Sequence, residues 1–129
     1  RYQDLRGAPQ FSAVQKKVSE ITNNKLLVGH ALKNDLAALL LSHPKHLIRD
    51  TAKYRPFQSA NKKARKLQTL ASELLGLDIQ SGEHSSVEDA RAALLLYKHS
   101  QTQWEKEMAR KAAIALKNKK HPGGVAKGE

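Results

Sequence analysis

Two short apolar runs, residues 25–28 and 47–51, bracket a helix-patterned segment at 31–42, and this order limits the possible folds most. The first run reads as a buried strand ended by Gly29, the second as another strand ending near Thr51. Between them Leu32, Leu36, Leu39 and Leu40 form a helical stripe that His43-Pro44 stops. Strand, helix, strand is a βαβ unit, so the two strands are expected to be parallel. Parallel sheets normally lie buried under helices on both faces, and two short strands alone make a poor one. The sequence therefore reads as the second half of a larger α/β sheet.

Helices are expected on either side. Phe11, Val14, Val18 and Ile21 recur at helical spacing over 9–21, after a Gly-Ala-Pro turn and before the breaker Asn23-Asn24. Segment 52–66 reads as a loop with Pro56 and the cluster Lys62, Lys63, Arg65 and Lys66. Leu67, Leu70, Ala71, Leu74 and Leu75 predict a third helix ended by Gly76. Val87, Ala90, Leu94, Tyr97, Trp104 and Met108 predict one long last helix, with Gln101 interrupting the stripe. Beyond Met108 the chain turns Ala/Lys-rich and closes on Pro122-Gly123-Gly124, a tail expected to fray.

A chain of 129 residues is one domain or a piece of one. It begins at Arg1, so the natural start is expected to lie elsewhere. Hydrophobic residues make up 40% but aromatics only 5%, so aliphatic helix faces must build the core. No apolar run approaches the ~20 residues of a membrane helix, and no membrane partner is expected. The absence of cysteine excludes disulfides and thiolate metal sites. A net charge of +11 favours a polyanion, nucleic acid above all, over a merely solvated basic surface.

Two places could carry chemistry. On a helix advancing ~100° per residue, Asp35 lies ~60° from Leu32 and ~40° from Leu39, so it is expected to border the buried stripe. There its charge needs a cation or donors to offset the cost of burial; a lysine partner such as Lys33 is the bland account. In His84-Ser85-Ser86-Val87-Glu88-Asp89, Ser85 and Glu88 fit a capping box, placing Asp89 in a first turn whose dipole favours negative charge. His84 then stands just outside the helix, titrating near neutral pH. An ordinary helix start explains the same residues.

Read together, these segments match a family. Gly7-Ala8-Pro9-Gln10-Phe11, Leu27-Val28-Gly29-His30, Asn34-Asp35, His43-Pro44, Ile48-Arg49-Asp50-Thr51, Asp78-Ile79-Gln80 and His84 through Ala90 resemble the RNA exonuclease 4 family of DEDDh exonucleases, over roughly residues 4–107. The resemblance implies a ribonuclease-H-like α/β fold and 3′-to-5′ exoribonuclease chemistry with two magnesium or manganese ions. It implies metal-binding carboxylates at Asp35 and Asp89 and a general base at His84. It also implies pre-ribosomal RNA processing in the nucleus or nucleolus, with RNA, pre-ribosomal particles or single-stranded DNA as partners. The family's first motif, an Asp-x-Glu on the first strand, is absent: before Asp35 the acidic residues are Asp4 and Glu20. Two carboxylates should hold magnesium weakly, since that ion gives up water reluctantly. On this reading residues 1–108 are the C-terminal portion of an exonuclease domain and 109–129 a basic tail.

Lys62, Lys63, Arg65, Lys66, Lys117, Lys119 and Lys120 are candidate phosphate contacts, giving affinity without sequence choice. Their bland account is a solvated basic surface. His30 reads as structural, and Asp50 as the strand end that holds the sheet together. Three identities follow: a segment of an active enzyme, a non-catalytic RNA-binding factor, or an inactive gene product. Oligomeric state is not legible.

Overall fold

Pro9 opens the first helix, where its missing N–H costs nothing. The computed structural model describes residues 9–79 and 85–120, with the backbone alone for Lys120. Helix α1 (Pro9–Thr22) matches the predicted span. Its stripe is a stripe only in part, because Phe11 and Val18 are half-buried while Val14 and Ile21 are exposed. Strands β1 (Leu27–Gly29) and β2 (Ile48–Asp50) pair in parallel, Leu27 with Ile48, Val28 with Arg49 and Gly29 with Asp50. Helix α2 (Leu32–Ala38) makes the crossover, so the expected βαβ unit is present.

Helix α2 ends four residues earlier than its sequence pattern suggests. The Leu40 N–H bonds the Ala37 carbonyl at 3.0 Å and the Leu41 N–H bonds that of Leu36 at 2.9 Å. This is a Schellman closure, with a leucine at φ 55° where glycine is usual. The Gln15 amide from α1 caps the same end, donating to the Leu39 carbonyl at 2.9 Å. Helix α3 (Leu67–Leu70) widens into a π-helical turn at Ala71–Leu75. Gly76 ends it at φ +68°, as the sequence indicates.

The predicted single last helix is two: α4 (Ser86–His99) and α5 (Gln101–Lys120). Helix α5 also runs through the stretch expected to fray. Alanine and lysine are strong helix formers, and Arg110 grips Glu107 three residues earlier through two bonds, at 3.1 and 2.6 Å. Residues 121–129 lie outside the described range. The chain divides into compact units at His99/Ser100. No helix among the described residues is long and apolar enough to cross a membrane.

In the first unit, α4 packs along β1 and against the α3–π segment. It buries Ala92, Ala93, Leu96 and Tyr97, while the predicted Val87, Ala90 and Leu94 face outward. Leu94-Leu95-Leu96 fits two overlapping helical stripes; the pair Ala92-Ala93 admits the closer approach, and that stripe wins. Leu70 and Leu96 are wholly buried. Ala71, Ile79 and Ala92 cluster with Leu67 beside them.

A Cβ at Gly76 would meet nothing within 4 Å, so Gly76→Ala isolates the backbone cost of a positive φ. The expected loss is about 1 kcal/mol, read as a lower midpoint in urea at unchanged slope.

Candidate active site

The carboxyl ends of β1 and β2 are where open α/β sheets place their ligands. Here they are organised by Asp50, buried at 7% exposure. Its Oδ1 accepts the Ala31 N–H at 2.7 Å and the Ala52 N–H at 2.9 Å; its Oδ2 accepts the Leu32 N–H at 3.0 Å. Ala31 supplies no side-chain cap to α2 and sits at φ 61°, ψ 46°. A carboxylate from the other strand does the capping instead, and three N–H donors offset the burial of its charge. The close approach also needs Gly29, since a Cβ there would stand 2.5 Å from Leu32 Cδ2 and 2.9 Å from its Cγ. Asp50 therefore holds the sheet end together, as the sequence reading has it.

Thr51 continues this knot. It is wholly buried, and its N–H bonds the Gly29 carbonyl at 2.8 Å. Its hydroxyl lies 2.8 Å from His30 Nδ1 and 3.2 Å from the Gly29 oxygen. The charges of Asp50 and Asp89 and the backbone carbonyl of Arg65 also act on the His30 ring. Burial is the largest influence and pushes His30 below its ordinary 6.5; the carboxylates and the carbonyl oppose it. The single hydroxyl proton of Thr51 serves either the Gly29 oxygen or His30 Nδ1; when it goes to Gly29, Nδ1–H donates to Thr51 Oγ1. His30 is thus tied through Thr51 to the end of β2, in the structural place expected for it.

Helix α4 delivers Asp89 to this region. Ser85 Oγ accepts the Glu88 N–H at 3.3 Å, and the Ser85 carbonyl accepts the Asp89 N–H at 2.9 Å, which realises the predicted cap. Asp89 is half-buried in the first turn. Asp35 is exposed rather than bordering the core. The expectation failed because Leu39 lies beyond the end of α2, at φ −94°, ψ 1°, and no longer shares a helical face with it. His84 lies outside the described residues.

Lys62, Lys63 and Lys66 are exposed, with Lys62 at φ 63°. Arg65 is half-buried and ion-paired with Glu73, so its charge is partly committed within the fold. Lys117 and Lys119 are exposed on α5; the side chain of Lys120 is not described. Among the described residues no group of three or more His, Cys, Asp or Glu side chains could hold a metal ion. Asp35 and Asp89 thus do not by themselves fit a two-metal centre.

The chain is similar in fold to solved exonucleases. The Saccharomyces cerevisiae Pan2 pseudoubiquitin hydrolase–RNA exonuclease module, in complex with AAGGA RNA, matches 86% of this chain at TM-score 0.65 and 36% identity, over 19% of its own length. The Neurospora crassa Pan2 catalytic unit matches 82% at TM-score 0.64 and 28% identity, over 17% of its own length. The fold is that of the ribonuclease-H-like exonucleases. Among curated proteins, S. cerevisiae RNA exonuclease 4 is 52% identical over 104 residues, 79% of this chain and 36% of its own. Human RNA exonuclease 4 is 47% identical over 111 residues, 85% of this chain and 26% of its own. Over that span the chain belongs to the RNA exonuclease 4 family. It thus spans about a third or less of the length of these two relatives. No family model matches the chain.

Two outcomes follow. Asp50→Ala strands three N–H groups, two of them bonded in buried surroundings, and should cost about 3 kcal/mol in a denaturant titration. Because His30 is held below 6.5 in the fold, the unfolded chain binds the extra proton, and stability should rise with pH. His30's contribution is complete above about 6.5 and is lost as pH falls through its lowered folded value. Melting temperatures should therefore fall between neutral and mildly acidic pH less steeply in His30→Gln than in the parent chain.

Proposed function

We propose that this chain forms part of a metal-dependent 3′-to-5′ exoribonuclease acting on pre-ribosomal RNA in the nucleus or nucleolus. The carrying observation is the placement of Asp89, in a capped helix start within electrostatic reach of His30 at the strand ends. Relatives named RNA exonuclease 4 and RNA-bound Pan2 modules support this reading. In it Asp35 and Asp89 are carboxylates for magnesium or manganese, hard cations that prefer oxygen. His84 is the general base that accepts a proton from the attacking water. Residues 1–108 carry the catalytic portion and 109–129 a basic extension.

Lys62, Lys63, Arg65 and Lys66 take phosphates at one edge, and Lys117, Lys119 and Lys120 on the extension. Such contacts release counterions, so affinity for single strands should fall steeply with salt. Pre-ribosomal particles are the proposed setting and RNA the substrate; single-stranded DNA is the alternative ligand.

A second reading, RNA binding without cleavage, is favoured for these 129 residues alone by the lack of a three-ligand cluster among the described residues. The expected result is salt-dependent RNA binding with little hydrolysis. The assay follows mononucleotide release from a 3′-labelled RNA in manganese. Rapid release abolished by Asp89→Ala would show instead that the segment is catalytically sufficient. Replacing Lys62, Lys63 and Lys66 by alanine should make the log-affinity against log-salt slope shallower by about 2.

A further inference from the structure

Helix α5 carries five basic side chains and one acidic one over residues 106–119. On a helix advancing ~100° per residue, Lys106, Arg110 and Lys117 fall within ~40° of one another, along ~17 Å of helix axis. All three are exposed. The buried Trp104 and half-buried Met108 lie ~140° and ~180° around the helix from Lys117, so the basic row stands on the side away from them. Lys111 is ~100° from Arg110 and falls off the row.

The middle of the row is already engaged. Arg110 Nε donates to Glu107 Oε1 at 3.1 Å and its Nη2 to Oε2 at 2.6 Å, so one edge of the guanidinium grips both carboxylate oxygens. With that two-donor edge arginine also takes two oxygens of a phosphate. Glu107 thus fills the place a phosphate would occupy. An exposed pair within one helix contributes little to stability, so exchanging the carboxylate for another anion costs little. The face also suits a polyanion better than a protein groove. Grooves take helices by apolar anchors aligned at three- and four-residue spacing. The exposed Ile114 and Leu116 are two residues apart and point ~160° away from each other, so they cannot share one groove.

We propose that Lys106, Arg110 and Lys117 form a phosphate-binding face of α5 for single-stranded RNA, with Glu107 as a built-in competitor that occupies Arg110 until a phosphate displaces it. This deepens the function proposed above and rests on its RNA-binding part. Contacts to backbone phosphates give such a face affinity without sequence choice. Glu107 sets how readily it engages.

Binding of the full chain to a fluorescein-labelled oligouridylate tests this, with circular dichroism checking that each variant keeps its helix content. Lys106→Ala and Lys117→Ala should each weaken binding about threefold and make the log-affinity against log-salt slope shallower by about 0.7. Lys111→Ala, off the face, should change affinity by less than about twofold. Glu107→Gln should strengthen binding about threefold, and this gain should vanish in the Arg110→Ala background. An equal loss in Lys111→Ala, or an undiminished gain from Glu107→Gln without Arg110, would mean a diffuse field in place of a face with a competitor, and overturns the proposal. So does tighter binding of a polyglutamate of matched length, which would assign the face to an acidic protein. If the parent chain does not bind RNA, the RNA-binding reading fails and takes the proposal with it. If it binds and the α5 variants match the parent, that reading stands and the proposal alone falls.

Discussion

A single buried carboxylate makes the end of this sheet possible. Two strands of three residues form too short a ladder to define their own register firmly. Asp50 compensates by reaching across to the start of α2 and binding the N–H groups of Ala31 and Leu32, while also turning the chain at Ala52. Register, crossover and helix start are thus fixed by one side chain. The arrangement explains why Ala31 tolerates a left-handed backbone and why α2 needs no cap of its own.

The same knot decides what stands at the strand ends. Once Gly29 lies against Leu32 and Thr51 is bonded to Gly29, the Thr51 hydroxyl holds the His30 ring at the junction of β1 and β2. Helix α4 reaches this junction from another direction, because its small residues Ala92 and Ala93 let it lie close to the core and its serine cap fixes where it begins. Asp89 owes its position to packing and capping together. Neither would place it there alone.

Local chemistry was legible in the sequence where a residue type marks it. The βαβ order, the Pro9 start, the Gly76 stop and the Ser85 cap all have such marks. The end of α2 does not: Leu40 takes a glycine's conformation without being glycine, so the leucine pattern ran on and carried the placement of Asp35 with it. The buried face of α4 was ambiguous because three consecutive leucines satisfy two stripes. The partners of Arg65 and His30, Glu73 and Thr51, lie too far along the chain for spacing to reveal. Asp50 was correctly read as a strand-end residue, but its three bonds are tertiary.

Asp35, Asp50 and Asp89 differ in what surrounds them. Asp50 is saturated by three backbone donors and buried, so a cation would have to displace bonds on which the fold depends. Asp35 lies exposed in the first turn of a helix anchored by that same carboxylate, and Asp89 is half-buried in the first turn of another. Helix starts favour negative charge, so the backbone of each helix start acts on its carboxylate, where Asp50 relies on three direct donors.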